Sequence, residues 1–308
     1  SVNIETKEAD EAEIVFTGTG SALPSKHRNV TGIFVKMHEG KALLLDCGEG
    51  TVGQLLRGKT DCDASLLLKS IRAVWISHPH TDHHVGIIRL LAERSKVPGC
   101  EPLMLLAPPN LFQFLSEYEE VNNSFRGSYE AINCYQAMPG QYRLSKEIQS
   151  KLQSCLGISS IKSVPVSHCR HAFGLVLDCD AFGRLVYSGD CRPSQRLAQE
   201  GTGADILIHE ATFEDGMEED AVLKKHSTIG EALSIGHKMK AKAVILTHFS
   251  QRYPRIAPSG TAQTCGFPIV FAFDYMRVTK NLMDIASNMT AALRLIYPDE
   301  EETKITTD

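Results

Sequence analysis

The 308-residue sequence has no apolar run long enough to cross a bilayer, so a helical membrane span is excluded. It has no excess of positive charge. With 32 Lys and Arg against 37 Asp and Glu, the formal net charge is −5, and a nucleic-acid partner would have to meet a local basic patch. It has no CxxC pair: nine cysteines are scattered and odd in number, which argues against a disulfide framework and for free thiols in a reducing, intracellular compartment. There is no internal repeat, no low-complexity linker and no sharp break in composition, so one domain is expected rather than two. The N-terminus, SVNIETKEADEAEIVF, shows no basic stretch followed by an apolar one, and no initiator Met. Residues 1–12 are therefore read as a disordered start, 13–297 as a single catalytic domain and 298–308 as an acidic disordered tail.

What is present is a regular alternation. Short β-branched or aliphatic runs at EIVFTGTG, TGIFVKM and KALLLDCG read as strands, TVGQLLRG and DASLLLKS as helices, and RAVWIS as a buried strand. HHVGIIRLLAERSK continues as a helix with Val85, Ile88 and Leu91 on its apolar face, followed by strand LMLLAP and helix NLFQFLSEYEEV. Asn122 to Lys162 is the least regular segment, with KEIQSKLQSCLG as its one helical pattern. Strands return at IKSVPVSH, FGLVLDCD, GRLVYSGD, ADILIHEAT, KAVILTH and FPIVFAFDYMRVT, with a helical stretch over 217–240. Strands alternating with helices imply a layered α/β fold.

The densest chemistry is WISHPHTDHHVG, from Trp75 to Gly86, which holds four of the chain's twelve histidines and one aspartate. Imidazole nitrogen and carboxylate oxygen are ligands zinc takes near neutral pH. His78 and His80 suit one ion, and Asp82 and His83 a second; a single histidine here would more often be a helix cap, but four in one turn are poorly explained that way. Three more ligand-type residues stand at the expected C-terminal ends of strands: His168, Asp190 and His248. Sheets of this class present their sites at that edge. Seven residues are enough for two ions, with Asp190 as the bridge, and such a pair favours displacement at phosphorus. His168 is preferred to His171 as the ligand, while His27, His38 and His237 are read as surface residues, His84 as structural, and Cys169 and Cys191 as thiols without a partner at metal spacing. The cell's metal stays open between Zn²⁺ and Mn²⁺.

HPHTDH, from His78 to His83, matches the H-x-H-x-D-H signature of the metallo-β-lactamase superfamily, which the chain resembles. The resemblance implies a four-layer αββα sandwich with the site at the strand-end edge, the ligand set above, and Asp46 of LLLDCGEG as the carboxylate that orients a histidine ligand. PSKHRN (24–29), HEAT (209–212) and HST (226–228) further resemble the P-x-K-x-R-N loop and paired motifs of tRNase Z. LTHFSQRY and HCRHAFG are similar to the catalytic half of its long eukaryotic form. The resemblance runs from about Glu13 to Arg277 and implies an endoribonuclease that removes the 3′ trailer of precursor tRNA, leaving a 3′ hydroxyl. It makes Asp82 the general base as well as a ligand, His226 held by Glu210 the general acid, and Lys26, Arg28, Asn29 and Arg252 substrate-binding residues. Nucleus, mitochondrion or both are the compartments it implies. One departure stands out: no glycine-rich basic arm lies between Ser95 and Lys162, and in long forms that arm belongs to an N-terminal half. The expected partners are therefore precursor tRNA and an arm-bearing half or subunit. The competing readings are a small-molecule hydrolase (phosphodiesterase, lactonase or thioesterase) and a metal-bound but non-catalytic subunit.

Overall fold

The computed structural model describes residues 11–58, 63–140, 144–252 and 265–280. The expected acidic tail, most of the N-terminal stretch and the end of the expected domain lie outside them. Thirteen strands among these residues form two sheets. The first contains β1 (Glu13–Gly18), β2 (Gly32–Lys36), β3 (Ala42–Cys47), β4 (Ile71–Trp75), β5 (Leu103–Ala107), β6 (Tyr129–Asn133) and β13 (Arg277–Thr279), in the order β13-β1-β2-β3-β4-β5-β6. The second runs β12-β11-β10-β9-β8-β7, with β7 (Ile158–Pro165), β8 (Phe173–Cys179), β9 (Gly183–Tyr187), β10 (Ile206–Glu210), β11 (Val244–Thr247) and β12 (Ile269–Phe271). β3 to β6 are mutually parallel, as are β9 to β12.

Alternation of side chains along the strands sorts the residues into three apolar layers. Leu43, Leu45, Ala73 and Trp75 of the first sheet face Leu175, Leu185, Tyr187, Ile208 and Ile245 of the second in one central core. Their neighbours Leu44, Val74 and Leu105 point outward beneath α1 (Thr51–Gly58), α2 (Ala64–Ser70), α4 (Ile87–Ser95) and α5 (Pro109–Val121). On the far side Val176, Val186, Leu207 and Leu246 lie beneath α7 (Gln195–Glu200) and α9 (Ile229–Met239). Helix, sheet, sheet, helix is the αββα sandwich. Trp75 joins its halves: the indole Nε1–H donates to Ser163 Oγ at 3.1 Å and the ring stands edge-on to Tyr187, 6.0 Å between centroids.

The structure departs from the sequence reading in three places, each for a local reason. The helix expected to run unbroken through HHVGIIRLLAERSK is split into α3 (Thr81–His84) and α4, and the buried face of α4 is Ile87, Leu90 and Leu91, with Val85 and Ile88 only half-buried. At the break the Gly86 amide donates to the Cys47 carbonyl at 2.9 Å instead of continuing the helix. A Cβ there would lie 2.1 Å from the Gly48 carbonyl oxygen, so only glycine lets the two backbones touch. The 217–240 stretch likewise divides into α8 (Glu218–Lys224) and α9, with Lys225 left-handed at φ 57° and His226 in the gap. Within the irregular segment, KEIQSKLQSCL forms α6 (Lys146–Leu156), and β6 precedes it as an edge strand whose residues are too polar to read as one.

Candidate metal centre

β4, β7, β9, β10 and β11 end at one edge of the sandwich, and the ligand-type residues follow them. Two of these do not end their strands as expected. β7 stops at Pro165 and β9 at Tyr187, so His168 and Asp190 each stand three residues further on, in loops. His248 follows β11 directly in a left-handed conformation, φ 60°, and Asp46 within β3 is similarly turned, φ 55°. Non-glycine residues held in that region cost about 1–3 kcal/mol each and persist where packing fixes them.

The side chains meet in two adjoining clusters. In the first, His80 Nδ1 lies 3.1 Å from both His78 Nε2 and His168 Nε2, and Asp190 Oδ2 lies 3.5 and 3.7 Å from those two nitrogens. In the second, His83 Nε2 is 3.3 Å from His248 Nε2, Asp82 Oδ2 is 3.5 and 3.6 Å from the two, and Asp190 oxygens are 3.2 and 3.4 Å from them. Ligands about 2.1 Å from a tetrahedral ion stand about 3.4 Å apart, and the observed separations bracket that edge. Asp190 Oδ1 is buried without a hydrogen-bond partner among the described residues. Donor type, spacing and that orphan oxygen fit a metal cofactor. His171, three residues from His168, is outside both clusters, bonded to the Tyr135 hydroxyl at 2.8 Å.

A buried hydrogen-bond network aims these donors. Asp46 accepts from the Ser77 amide and hydroxyl at 2.7 and 2.8 Å, from His83 Nδ1–H at 2.8 Å and from the Tyr187 hydroxyl at 2.8 Å. Since its proton goes to Asp46, the Ser77 hydroxyl accepts from His78 Nδ1–H at 2.9 Å. Both rings thus turn an Nε2 lone pair to the clusters. His168 donates Nδ1–H to the Lys225 carbonyl at 2.9 Å. His80 differs: it presents Nδ1, and no outer partner could have been read from its spacing. Burial depresses His78, reinforced by the neighbouring His83; at His83 the charges of Asp190, Asp82 and Asp46 outweigh burial and favour a positive charge on Nε2, either a proton or, in place of it, a metal ion. Burial would raise Asp190 and Asp82, but the surrounding histidines hold both well below the usual carboxylate range.

Glu210, at the end of β10, is the second hub. It accepts from the amides of Cys191 (2.7 Å), Thr212 (3.3 Å) and Ser227 (3.2 Å), from the Thr212 hydroxyl (2.6 Å) and from His226 Nδ1–H (2.8 Å). His226 Nδ1 is 3.9 Å from Asp190 Oδ2, so the pair adjoins the clusters. Burial lowers the His226 pKa, but the Glu210 charge and hydrogen bond outweigh it and raise it to about 9. Arg192, unmarked in the sequence reading, fixes the His226 main chain: it donates to the His226 carbonyl at 2.5 Å and is paired with Glu231, which also completes the capping box of α9 with Thr228. His209 of HEAT is fully buried and neutral, bonded to the Glu210 carbonyl at 2.7 Å.

The substrate-binding candidates divide. Lys26 is exposed. Arg28 is turned inward, contrary to expectation: 4% exposed, it donates to Thr19 Oγ1 at 2.7 Å and the Ala272 carbonyl at 2.9 Å and stacks on Phe249. Asn29 is tied down as well, its amide donating to Asp274 at 2.6 Å and its side chain to the Glu49 carbonyl at 2.9 Å. A loop packed against β12 and β13 needs such anchors, and they leave these two groups turned to protein. The Ala22 amide at the start of that loop donates to Asp82 Oδ2 at 2.8 Å, so the loop steadies a cluster residue instead. Arg252 is exposed, its guanidinium over Phe213, which itself packs on His226. Cys169 corrects another reading: its thiol belongs to a group with His78, His80 and His168 whose ligand atoms lie within 4.8 Å of one another. His84 is apart, donating Nε2–H to the Pro79 carbonyl at 3.2 Å with its ring against Phe114. His27, His38 and His237 are exposed.

The family model described as Anti-Pycsar protein Apyc1 matches residues 12–268. Among curated relatives, the zinc phosphodiesterase ELAC protein 2 of Macaca fascicularis is 37% identical over 96% of this chain and 36% of its own length. The mitochondrial ribonuclease Z of Drosophila melanogaster is 38% identical over 94% and 38%. The chain thus spans little more than a third of the length of these relatives. A crystal structure of a long-form RNase Z from yeast superimposes with a TM-score of 0.86 at 28% identity, covering 96% of this chain and 45% of that one. The chain belongs to the family described as Anti-Pycsar protein Apyc1 and, on the metallo-β-lactamase fold, is a homologue of ribonuclease Z.

Proposed function

We propose that the chain is the catalytic part of a zinc-dependent endoribonuclease that removes the 3′ trailer of precursor tRNA and leaves a 3′ hydroxyl. The observation that carries this reading is the proton donor at the centre: His226, bonded to Glu210, within 3.9 Å of the carboxylate shared by both clusters. His78, His80 and His168 would hold one zinc ion and Asp82, His83 and His248 another, with Asp190 between them; Mn²⁺ suits the same donors less closely. Bound there, the ions supply Lewis acidity that lowers the pKa of an attacking water and stabilises the oxygens of an in-line displacement. Asp82, kept ionised by its histidine neighbours, accepts the water's proton as the bond to phosphorus forms. His226 passes the proton on its Nε2 to the departing 3′ oxygen as the old bond breaks, and the Glu210 anion on Nδ1 offsets the charge it carries. Of the expected substrate-binding residues, Lys26 and Arg252 are the exposed ones and would meet the RNA backbone.

The formal net charge of −5 supports the reading that the main electrostatic grip on tRNA belongs to an arm-bearing half or subunit. The expected compartment is the mitochondrion, which the Drosophila relative carries in its name, or the nucleus. A small-molecule phosphodiesterase is the second reading, favoured by the inward turn of Arg28, which removes one expected phosphate contact. Single-turnover assays on a precursor tRNA and on a chromogenic phosphodiester, with and without an arm-bearing half, separate the two. Cleavage of the tRNA at the trailer junction supports the proposal, and turnover of the small ester alone overturns it.

A further inference from the structure

Glu210 does more than hold His226. The Thr212 hydroxyl lies 2.6 Å from Glu210 Oε2 and 2.9 Å from His248 Nδ1, between a carboxylate and a ring of the second cluster. A hydroxyl has one proton. Glu210 already receives three backbone amides and the His226 N–H, so it is an acceptor and the Thr212 proton must point to it. The oxygen is then left to accept, and His248 must carry its proton on Nδ1. That leaves the lone pair on Nε2, the nitrogen that faces His83, Asp82 and Asp190. The same device occurs across the site, where Ser77 stands between Asp46 and His78.

We propose that Thr212 is a positioning residue: its hydroxyl relays the Glu210 anion to His248, so that one buried carboxylate sets both the acid histidine and the metal-facing tautomer of His248. The inference rests on the reading of the two clusters as metal sites. Without the hydroxyl, His248 Nδ1–H loses its acceptor, the other tautomer becomes competitive and the proton then blocks Nε2. Threonine is required here over valine for its oxygen, since the two are nearly equal in shape.

The test is zinc titration of the full chain against a chromogenic chelator, comparing the parent with Thr212→Val and Thr212→Ser. Thr212→Val is expected to weaken one of two zinc ions about 10–100-fold while the other is retained, the range typical for loss of a ligand's outer hydrogen bond. Thr212→Ser, which keeps the hydroxyl, is expected to stay close to the parent. Parent-like affinity for both ions in Thr212→Val overturns the relay, and so does equal weakening in both variants, which would trace to packing. A parent that binds no zinc overturns the metal reading itself. Nitrogen-15 shifts of His248 in the zinc-loaded parent give a check that no variant has to survive: a proton on Nδ1 is expected, and a proton on Nε2 refutes the proposal.

Discussion

Replacing Glu210 by Gln keeps the shape of the hub and removes its charge. In the parent, burial pushes His226 down and the Glu210 anion pushes it up to about 9. With the Glu210 anion gone, burial and the neighbouring His83 oppose only the more distant Asp190 charge, so the pKa falls towards the ordinary 6.5, a shift worth about 3 kcal/mol. A general acid works only in its protonated form. At pH 8 a group of pKa 9 is about 90% protonated and one of pKa 6.5 about 3%, so the variant is expected to lose roughly 30-fold in rate. At pH 6 both are mostly protonated and the loss shrinks to less than about twofold. The pair also stabilises the fold: a raised folded pKa gives stability that is whole below about pH 6.5 and lost as pH rises through about 9. Single-turnover cleavage rates from pH 5.5 to 9.5 at saturating zinc would show the parent's alkaline limb near 9 move down in Glu210→Gln. A deficit of the same size at every pH would refute the acid assignment and leave Glu210 a structural hub.

Gly86→Ala is expected to destabilise the chain by about 2–3 kcal/mol through overpacking, because its Cβ would meet the Gly48 carbonyl at 2.1 Å; denaturant unfolding measures it, and an unchanged midpoint contradicts the close approach. Arg28→Ala should lower the unfolding midpoint by stripping buried partners from Thr19 and the Ala272 carbonyl, at a cost of about 1–3 kcal/mol, with KM for RNA unaltered. Lys26→Ala should do the reverse, raising KM without touching stability, and a matching KM rise in both variants would return Arg28 to the substrate. Stripping metal with a chelator should abolish cleavage and re-addition of zinc restore it; activity that survives complete removal would dismiss the metal reading.

Much of the site could be read from residue type because its chemistry is local. Four histidines in one turn have no common structural cause, and strand periodicity put that turn at a sheet edge. What the sequence hid was direction. Arg28 sits in a cationic loop and looked like a phosphate contact, yet Thr19, Ala272 and Phe249, distant in the chain, draw it inward. Helix breaks were hidden too. Between α3 and α4 the chain turns the Gly86 amide to Cys47 and passes against Gly48, an approach periodicity cannot foresee, and the gap carrying His226 depends on the left-handed Lys225. Cys169 showed no cluster in sequence because, besides the adjacent His168, its neighbours His78 and His80 come from a loop some ninety residues upstream.

The hidden network also explains how ligands drawn mostly from loops can hold a fixed geometry. Loop backbones are soft, and ligand separations within a few tenths of an ångström of a tetrahedral edge need stiff anchors. Two buried carboxylates supply them. Asp46 takes His83 directly and His78 through Ser77, one ring from each cluster; Glu210 takes His226 directly and His248 through Thr212. Each carboxylate therefore ties two groups with different tasks, and neither can move without disturbing both. On this arrangement the positions of the acid and of the second cluster are set together: a shift of Glu210 that loosened His226 would also free Thr212, and with it the orientation of His248. The positive φ at Asp46 and at His248 then has a physical reason, since each holds its side chain on the network at some cost to the backbone.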